Sequence, residues 1–195
     1  KNVTELIRNC CFPNLRYLDL AGNNAEFDLE CLLEKCQLKE NSVSERNKSL
    51  EYLSLREFRE IKGSFSNFVN LQTLILLRNS LELHAGMFKG LTNLKILFIK
   101  DINHKMISPG VFDGLVYLEE LLLSISDSLN FELSQKTLVG VENLKLLMLY
   151  GIKDIDLDAF SSMRDLEYVC LDKKELIERL EPKYPNITFK FNKSP

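Results

Sequence analysis

The sequence predicts an α/β solenoid, a horseshoe arc with a parallel concave sheet of seven or eight strands. Irregular loops or short helices are expected on its convex side. Three observations predict this: a change of hydrophobic period within a short stretch, the recurrence of that stretch along the chain, and its spacing. In residues 87–101, MFKGLTNLKILFIKD, the apolar positions Leu91, Leu94, Leu97 and Ile99 are spaced first by three and then by two. A helix would hold 3.6 and a strand 2, so the stretch reads as a loop that turns into a short strand.

The stretch recurs. The chain repeats it with Phe65, Phe68, Leu71, Leu74 and Leu76; with Phe112, Leu115, Leu118, Leu121 and Leu123; with Leu138, Val141, Leu144, Leu147 and Leu149; and with Phe160, Met163, Leu166, Val169 and Leu171. Two earlier copies keep the strand half, at Leu15, Leu18, Leu20 and Asn23, and at Leu50, Leu53 and Leu55. The leading leucines fall at 15, 50, 71, 94, 118, 144 and 166, at intervals of 35, 21, 23, 24, 26 and 22. A period of 20–29 with LxxLxLxxN is the signature of a leucine-rich repeat.

Each part of the repeat has a physical task. The paired leucines of LxxLxL point inward from a short parallel strand, and the residues between them point outward. The preceding segment crosses the convex side and inserts its Phe and Leu into the same core. One repeat cannot bury these side chains alone, so neighbours must stack. Gly90, Gly114 and Gly140 each stand four residues before a leading leucine, where a tight return to the strand suits glycine. Ordinary amphipathic helices do not explain a leucine pair separated by two.

The chain of 195 residues, 45 % of them apolar, is long enough for a sizeable core and reads as one domain. Within it, residues 1–14 form an N-terminal cap, 15–174 the repeats, and 175–195 a C-terminal cap of a helix and a strand. In that last segment Leu176, Ile177 and Leu180 form an apolar helical stripe that Pro182 and Pro185 end. Ile187, Phe189 and Phe191 then alternate with Thr188 and Lys190. An edge strand carrying Lys190, with Lys193 beyond it, resists further pairing. The VTELIRNCC segment adds at most a partial strand before Leu15. The least regular stretch is 27–49. Asp28 stands as an N-cap before Leu29, Leu32, Leu33 and Cys36 at helical spacing, and a polar loop, KENSVSERNKS, follows. This excursion most simply widens one convex repeat; gripping a ligand is its other reading.

The FxGLxxLxxLxL form resembles the extracellular "typical" repeats of Toll-like receptors and their soluble relatives, over roughly residues 15–174. The resemblance implies an extracellular recognition domain. Two features depart from it. The family's Asn ladder, which ends each strand, is here Asn23, Phe58, Asn79, Ile102, Ser126, Ile152 and Lys174, so the ladder is mostly missing and irregular turns are expected in the second half. The cysteine-rich C-terminal cap usual for the extracellular members is replaced by KKELIERLEPKYPNITFKFN.

Compartment follows from cysteine and sequon chemistry. Of five cysteines, Cys10, Cys11, Cys31 and Cys36 cluster at the N-terminal end, where an open repeat core needs a staple. A bond from Cys10 or Cys11 to Cys36 is the first expectation, with Cys31 available for a second; the connectivity stays open, and reduced thiols in a cytosolic protein are the competing reading. Sequons occur at Asn2, Asn47, Asn186 and Asn192, all in expected caps or loops. Together with the repeat subtype they favour a secreted or extracellular glycoprotein. No signal peptide is visible at Lys1, so any secretory leader is expected to have been removed or never to have existed. The longest apolar run is too short for a membrane helix.

Nothing points to catalysis or a cofactor. There are two histidines, His84 and His104, and no hydrolase, zinc or phosphate-loop motif. The alternating acids Asp154, Asp156 and Asp158 read as a solvated loop around Ile155 and Leu157 rather than a calcium site. With a net charge of -3, no basic face advertises nucleic acid. What remains is the concave face. Its outward positions in repeats three to six carry Ile75, Leu77, Ile96, Phe98, Leu122, Leu146, Met148 and Tyr150, a contiguous apolar patch expected to bind a protein or lipid-like ligand. No segment of the chain is long enough to fold over it. A permanent homodimer interface is the alternative, and inhibition of a secreted enzyme is a third use of the same surface.

Overall fold

The computed structural model describes residues 14–22, 24–32, 49–79, 83–102, 107–125 and 131–193. In chain order the strands are β1 (Tyr17–Ala21), β2 (Glu26–Asp28), β3 (Tyr52–Arg56), β4 (Glu60–Lys62), β5 (Thr73–Leu77), β6 (Ile96–Ile102), β7 (Glu120–Ile125), β8 (Glu132–Leu133), β9 (Leu146–Tyr150), β10 (Asp154–Ile155), β11 (Tyr168–Leu171) and β12 (Thr188–Phe191). Eight of them form one parallel sheet in the order β1-β3-β5-β6-β7-β9-β11-β12. Each main strand lies beside its predecessor, as stacking of repeats requires. Two short parallel pairs, β2 with β4 and β8 with β10, form separate two-stranded sheets. The result is the expected leucine-rich-repeat solenoid.

The period of two decides the register. Leu53, Leu74, Leu97, Leu121, Leu147 and Val169 stand opposite one another on successive strands and are all fully buried. Leu55, Leu76, Ile99, Leu123, Leu149 and Leu171 form the second buried row. Phenylalanines from the convex segments close the core from behind. Phe65 lies 5.9 Å from Phe88, which stacks on Phe112 at 6.4 Å. Leu15, Leu18 and Leu20 at the N-terminal end are only partly buried by the described residues.

The return turns also follow from local chemistry. Gly90 and Gly140 have φ of 96° and 95°, and an added Cβ would stand 2.6 Å from the Ser66 carbonyl oxygen and 2.7 Å from that of Phe112. Only glycine meets both demands, backbone sign and space.

Among the described residues the strand-end ladder is sparse, as its sequence positions imply. Asn79 keeps its rung: its Oδ1 accepts from the Phe58 N–H and its Nδ2 donates to the Leu55 carbonyl, both at 2.8 Å. Phe58 and Ile152 replace the asparagine with buried apolar side chains. The Phe58 ring packs 5.1 Å from Phe27 and fills the space above Gly22, where any Cβ would clash with it. The turn after β9 is ordered by the next repeat, since Asp172 Oδ2 accepts from the Gly151 N–H and Lys173 Nζ donates to the Ile152 carbonyl, both at 2.8 Å.

Of the 27–49 excursion, residues 29–32 form a 3-10 turn, and the Asp28 carboxylate accepts from the Glu30 N–H at 3.0 Å, the capping role read from its position. The remaining helical positions, Leu33 and Cys36, and most of the polar loop lie outside the described residues, as do Asn2, Cys10, Cys11, Asn23, Asn47, His104 and Ser126.

At the C-terminal end, helix α1 (Lys174–Leu180) buries Leu176 and Leu180, and a turn at Glu181–Lys183 containing Pro182 follows it. Strand β12 then pairs with β11 as the sheet edge. Phe191 is 44 % exposed, and the Lys174 ammonium sits 5.1 Å above its ring. The acidic run is tied to this cap: Arg179 donates to Asp154, and Lys183 to Asp158. Those bonds hold both carboxyls below the ordinary carboxylate range. A depressed carboxyl contributes stability above its unfolded pKa of about 4 and loses it as pH falls through the folded value. The double variant Asp154→Asn, Asp158→Asn is therefore expected to flatten slightly the fall in Tm between about pH 6 and pH 2, read by thermal melting; the effect is small because the pairs are solvent-screened. An unchanged acid slope would show that these pairs do not hold the cap.

Among the described residues, no helix is long and apolar enough to cross a membrane.

Candidate binding face

Alternation along each strand sends one set of side chains to the core and the other to the concave surface. The observed register aligns the outward set into columns. The central column runs Asp19, Ser54, Ile75, Phe98, Leu122, Met148, Cys170 and Lys190. One flanking column runs Tyr17, Tyr52, Thr73, Ile96, Glu120, Leu146, Tyr168 and Thr188. Ile75, Leu77, Ile96, Phe98, Leu122, Leu146 and Met148 are all half-buried and lie on four adjacent strands, β5, β6, β7 and β9. Their flanks are shielded by neighbours about 4.8 Å away across the sheet.

Tyr150 departs from the reading of an open apolar patch. It is 2 % exposed, and its phenol accepts from Asn192 Nδ2 at 3.3 Å. Burial pushes its pKa up. The cause is the C-terminal cap, which brings Asn192 over this corner of the sheet, so Tyr150 belongs to the closed end of the arc. Ser54 and Ser124 are buried as well, being short side chains between longer neighbours.

The patch is bounded by polar and aromatic groups. At the N-terminal end Tyr17 and Tyr52 pair at 6.1 Å between ring centroids, and Arg56 donates to Asp19 at 3.1 Å. At the other end Lys190 lies 5.0 Å above the ring of Tyr168. Beside them Cys170 is half-buried, and burial pushes its thiol up, away from the reactive thiolate. A polar recess of about 320 Å³, lined by Glu51, Asn70, Gln72, Asn93 and Lys95, sits at the rim where the strands begin and not on the apolar columns.

Apart from Asn192 at the Tyr150 corner, the remaining sequence-predicted positions are not gathered into this face. Cys31 is 5 % exposed, and the cysteines expected to bond it lie outside the described residues. Asn186 and Asn192 are exposed near the C-terminal edge. His84 is exposed, with Nδ1 3.1 Å from the adjacent Ala85 carbonyl oxygen. Among the described residues no group of three or more His, Cys, Asp or Glu could hold a metal ion.

Two devices escaped the sequence reading. One is a second asparagine ladder, before the strands: Asn93 Nδ2 donates to the Val69 carbonyl at 2.8 Å, and Asn143 Nδ2 to that of Val116 at 2.7 Å. The signal was present, as an Asn directly before several leading leucines. The other is a left-handed residue at corresponding places in successive repeats, Glu57 and Arg78 just after β3 and β5 and Asp101 near the end of β6, with φ of 59°, 55° and 56°. Arg78 bridges the other two, at 3.3 Å and 3.5 Å. Charged residues gave no local signal of that conformation.

The comparisons with known proteins agree with this geometry. A family profile described as "Leucine rich repeat" matches residues 69–127. Sheet and periodic core have the leucine-rich-repeat fold, and the profile match falls on its middle repeats. Among solved structures, an internalin from Listeria monocytogenes str. 4b F2365 superposes with a TM-score of 0.51 at 18 % identity, over 95 % of this chain and 48 % of that one. The chain thus spans about half the length of that internalin, and the likeness is one of fold. No curated protein matches the sequence significantly.

Proposed function

We propose that this domain is a non-catalytic extracellular recognition module that binds a protein ligand through its concave face, in a setting such as innate immunity. The observation that carries the proposal is the group of seven half-buried apolar side chains on four adjacent strands. Soluble proteins seldom leave such a surface uncovered without a use for it. Central aromatics are the usual hot spots of interfaces, and Phe98 lies between Ile75 and Leu122 in the middle of the patch. The extracellular setting rests on the repeat subtype, the exposed Asn186 sequon and the N-terminal cysteine cluster. Non-reducing peptide mapping that finds all five thiols free would remove the staple and with it much of the case for secretion.

Covering a phenylalanine is worth about 1.5–3 kcal/mol before ordering costs. A protein captured from native extracellular fluid by the wild-type domain is accordingly expected to bind Phe98→Asp about tenfold more weakly or worse. Equal capture by both would move the binding surface elsewhere. The same patch also suits a permanent homodimer. Static light scattering showing a concentration-independent dimer that Phe98→Asp dissolves would replace the first reading with that one.

A further inference from the structure

Resting on the concave-face reading above, we infer that the protein partner inserts a cationic side chain, Arg or Lys, against Glu120. Glu120 stands in the flanking column between Ile96 and Leu146, with Leu122 two residues further along its own strand. Its side chain is half-buried, yet its carboxylate has no hydrogen-bond or ionic partner among the described residues. The other charges near this face are engaged. Asp19 pairs with Arg56, Asp172 accepts from the Gly151 N–H, and Lys190 lies over Tyr168.

That arrangement constrains whatever covers the patch. In the unbound domain, water solvates the carboxylate. A partner that seals Ile96, Leu122 and Leu146 strips that water away, and an uncompensated buried charge is strongly unfavourable. A purely apolar ligand, such as an acyl chain, would meet this penalty with nothing to offset it. A second copy of this chain whose two-fold axis passes near Glu120 would bring another Glu120 close to the first. A segment with apolar side chains around one guanidinium or ammonium satisfies both requirements, and Glu120 then selects for charge as well as shape.

The test uses the whole domain and random twelve-residue peptides displayed on phage, selected in parallel on wild type, Glu120→Gln, Glu120→Lys and Phe98→Asp. Expected from wild type are peptides with Arg or Lys at a fixed position among apolar residues. Made synthetically, these should bind Phe98→Asp and Glu120→Gln about tenfold more weakly, with a salt dependence that flattens in Glu120→Gln. Selection on Glu120→Lys should exchange the cation for Asp or Glu. Peptides sensitive to Phe98→Asp but indifferent to Glu120→Gln would overturn the charge inference and leave the concave reading standing. Peptides indifferent to both, or no enriched peptide at all, would overturn the concave reading itself. Phe98-dependent binding of phosphatidylcholine vesicles, or Phe98-dependent self-association in sedimentation, would instead assign the face to lipid or to a second copy and overturn the inference.

Discussion

Leu97→Ala is expected to lower stability by about 2–5 kcal/mol, the usual cost of emptying a leucine-sized space in a packed core. Phe98→Asp, one residue along the same strand, is expected to stay within about 1 kcal/mol of wild type, because a half-buried surface position on a sheet spans only that range. Leu97 is fully buried, between Leu74 and Leu121 in register, so nothing can move in to refill its site without disturbing two neighbouring repeats. Phe98 points to the other face, between Ile75 and Leu122, and an aspartate there reaches water. Urea denaturation of both variants reads the two effects directly. If Phe98→Asp unfolds the domain and Leu97→Ala does nothing, the strand is flipped and the proposed binding face is the core. A slip of one residue would exchange every side chain between faces in this way, which is why the pair tests register as sharply as function.

The main sheet was legible because its signal is periodic and redundant. A leucine at one position is ambiguous, but seven copies of the same spacing cannot be shifted without losing the pattern, so the column from Ser54 to Cys170 is legible from the spacing alone. The turns carry no such redundancy. Phe58 reads as a failed asparagine in the sequence, yet the fold uses its ring to pack against Phe27 over Gly22. The Gly151 turn is held by Asp172, twenty-one residues away, a partner that local pattern cannot name. Tyr150 fails as a surface residue for a similar reason. Its place in the column is right, but Asn192 reaches over it from the cap, and a column position reports direction without reporting what lies above. Glu120 shows the reverse. Its place beside an apolar patch was visible in the sequence, but its lack of a partner emerges only when the neighbouring charges are seen to be engaged elsewhere.

Asn79→Ala is expected to cost about 2–4 kcal/mol, more than its polarity would suggest. Asn79 is 2 % exposed, and its amide serves two backbone groups of the preceding repeat at once, the Phe58 N–H and the Leu55 carbonyl. Alanine leaves both groups buried and unmade, each at about 1–3 kcal/mol, with some relief if water enters the vacated space. Asn93 supplies the contrast. It makes the same kind of bond, Nδ2 to the Val69 carbonyl at 2.8 Å, but at an exposed site where water replaces it freely. Asn93→Ala should therefore cost only about 0.5–1.5 kcal/mol, the net worth of an ordinary hydrogen bond. Amide hydrogen exchange separates the two mechanisms. In Asn79→Ala the Phe58 amide should lose protection ahead of the amides of β9, which belong to distant repeats. In Asn93→Ala the Phe58 amide should keep its protection, because its acceptor is untouched. Equal costs for the two variants would mean that burial of the Asn79 rung contributes nothing, and that the turn between β3 and β4 is held by the packing of Phe58 alone.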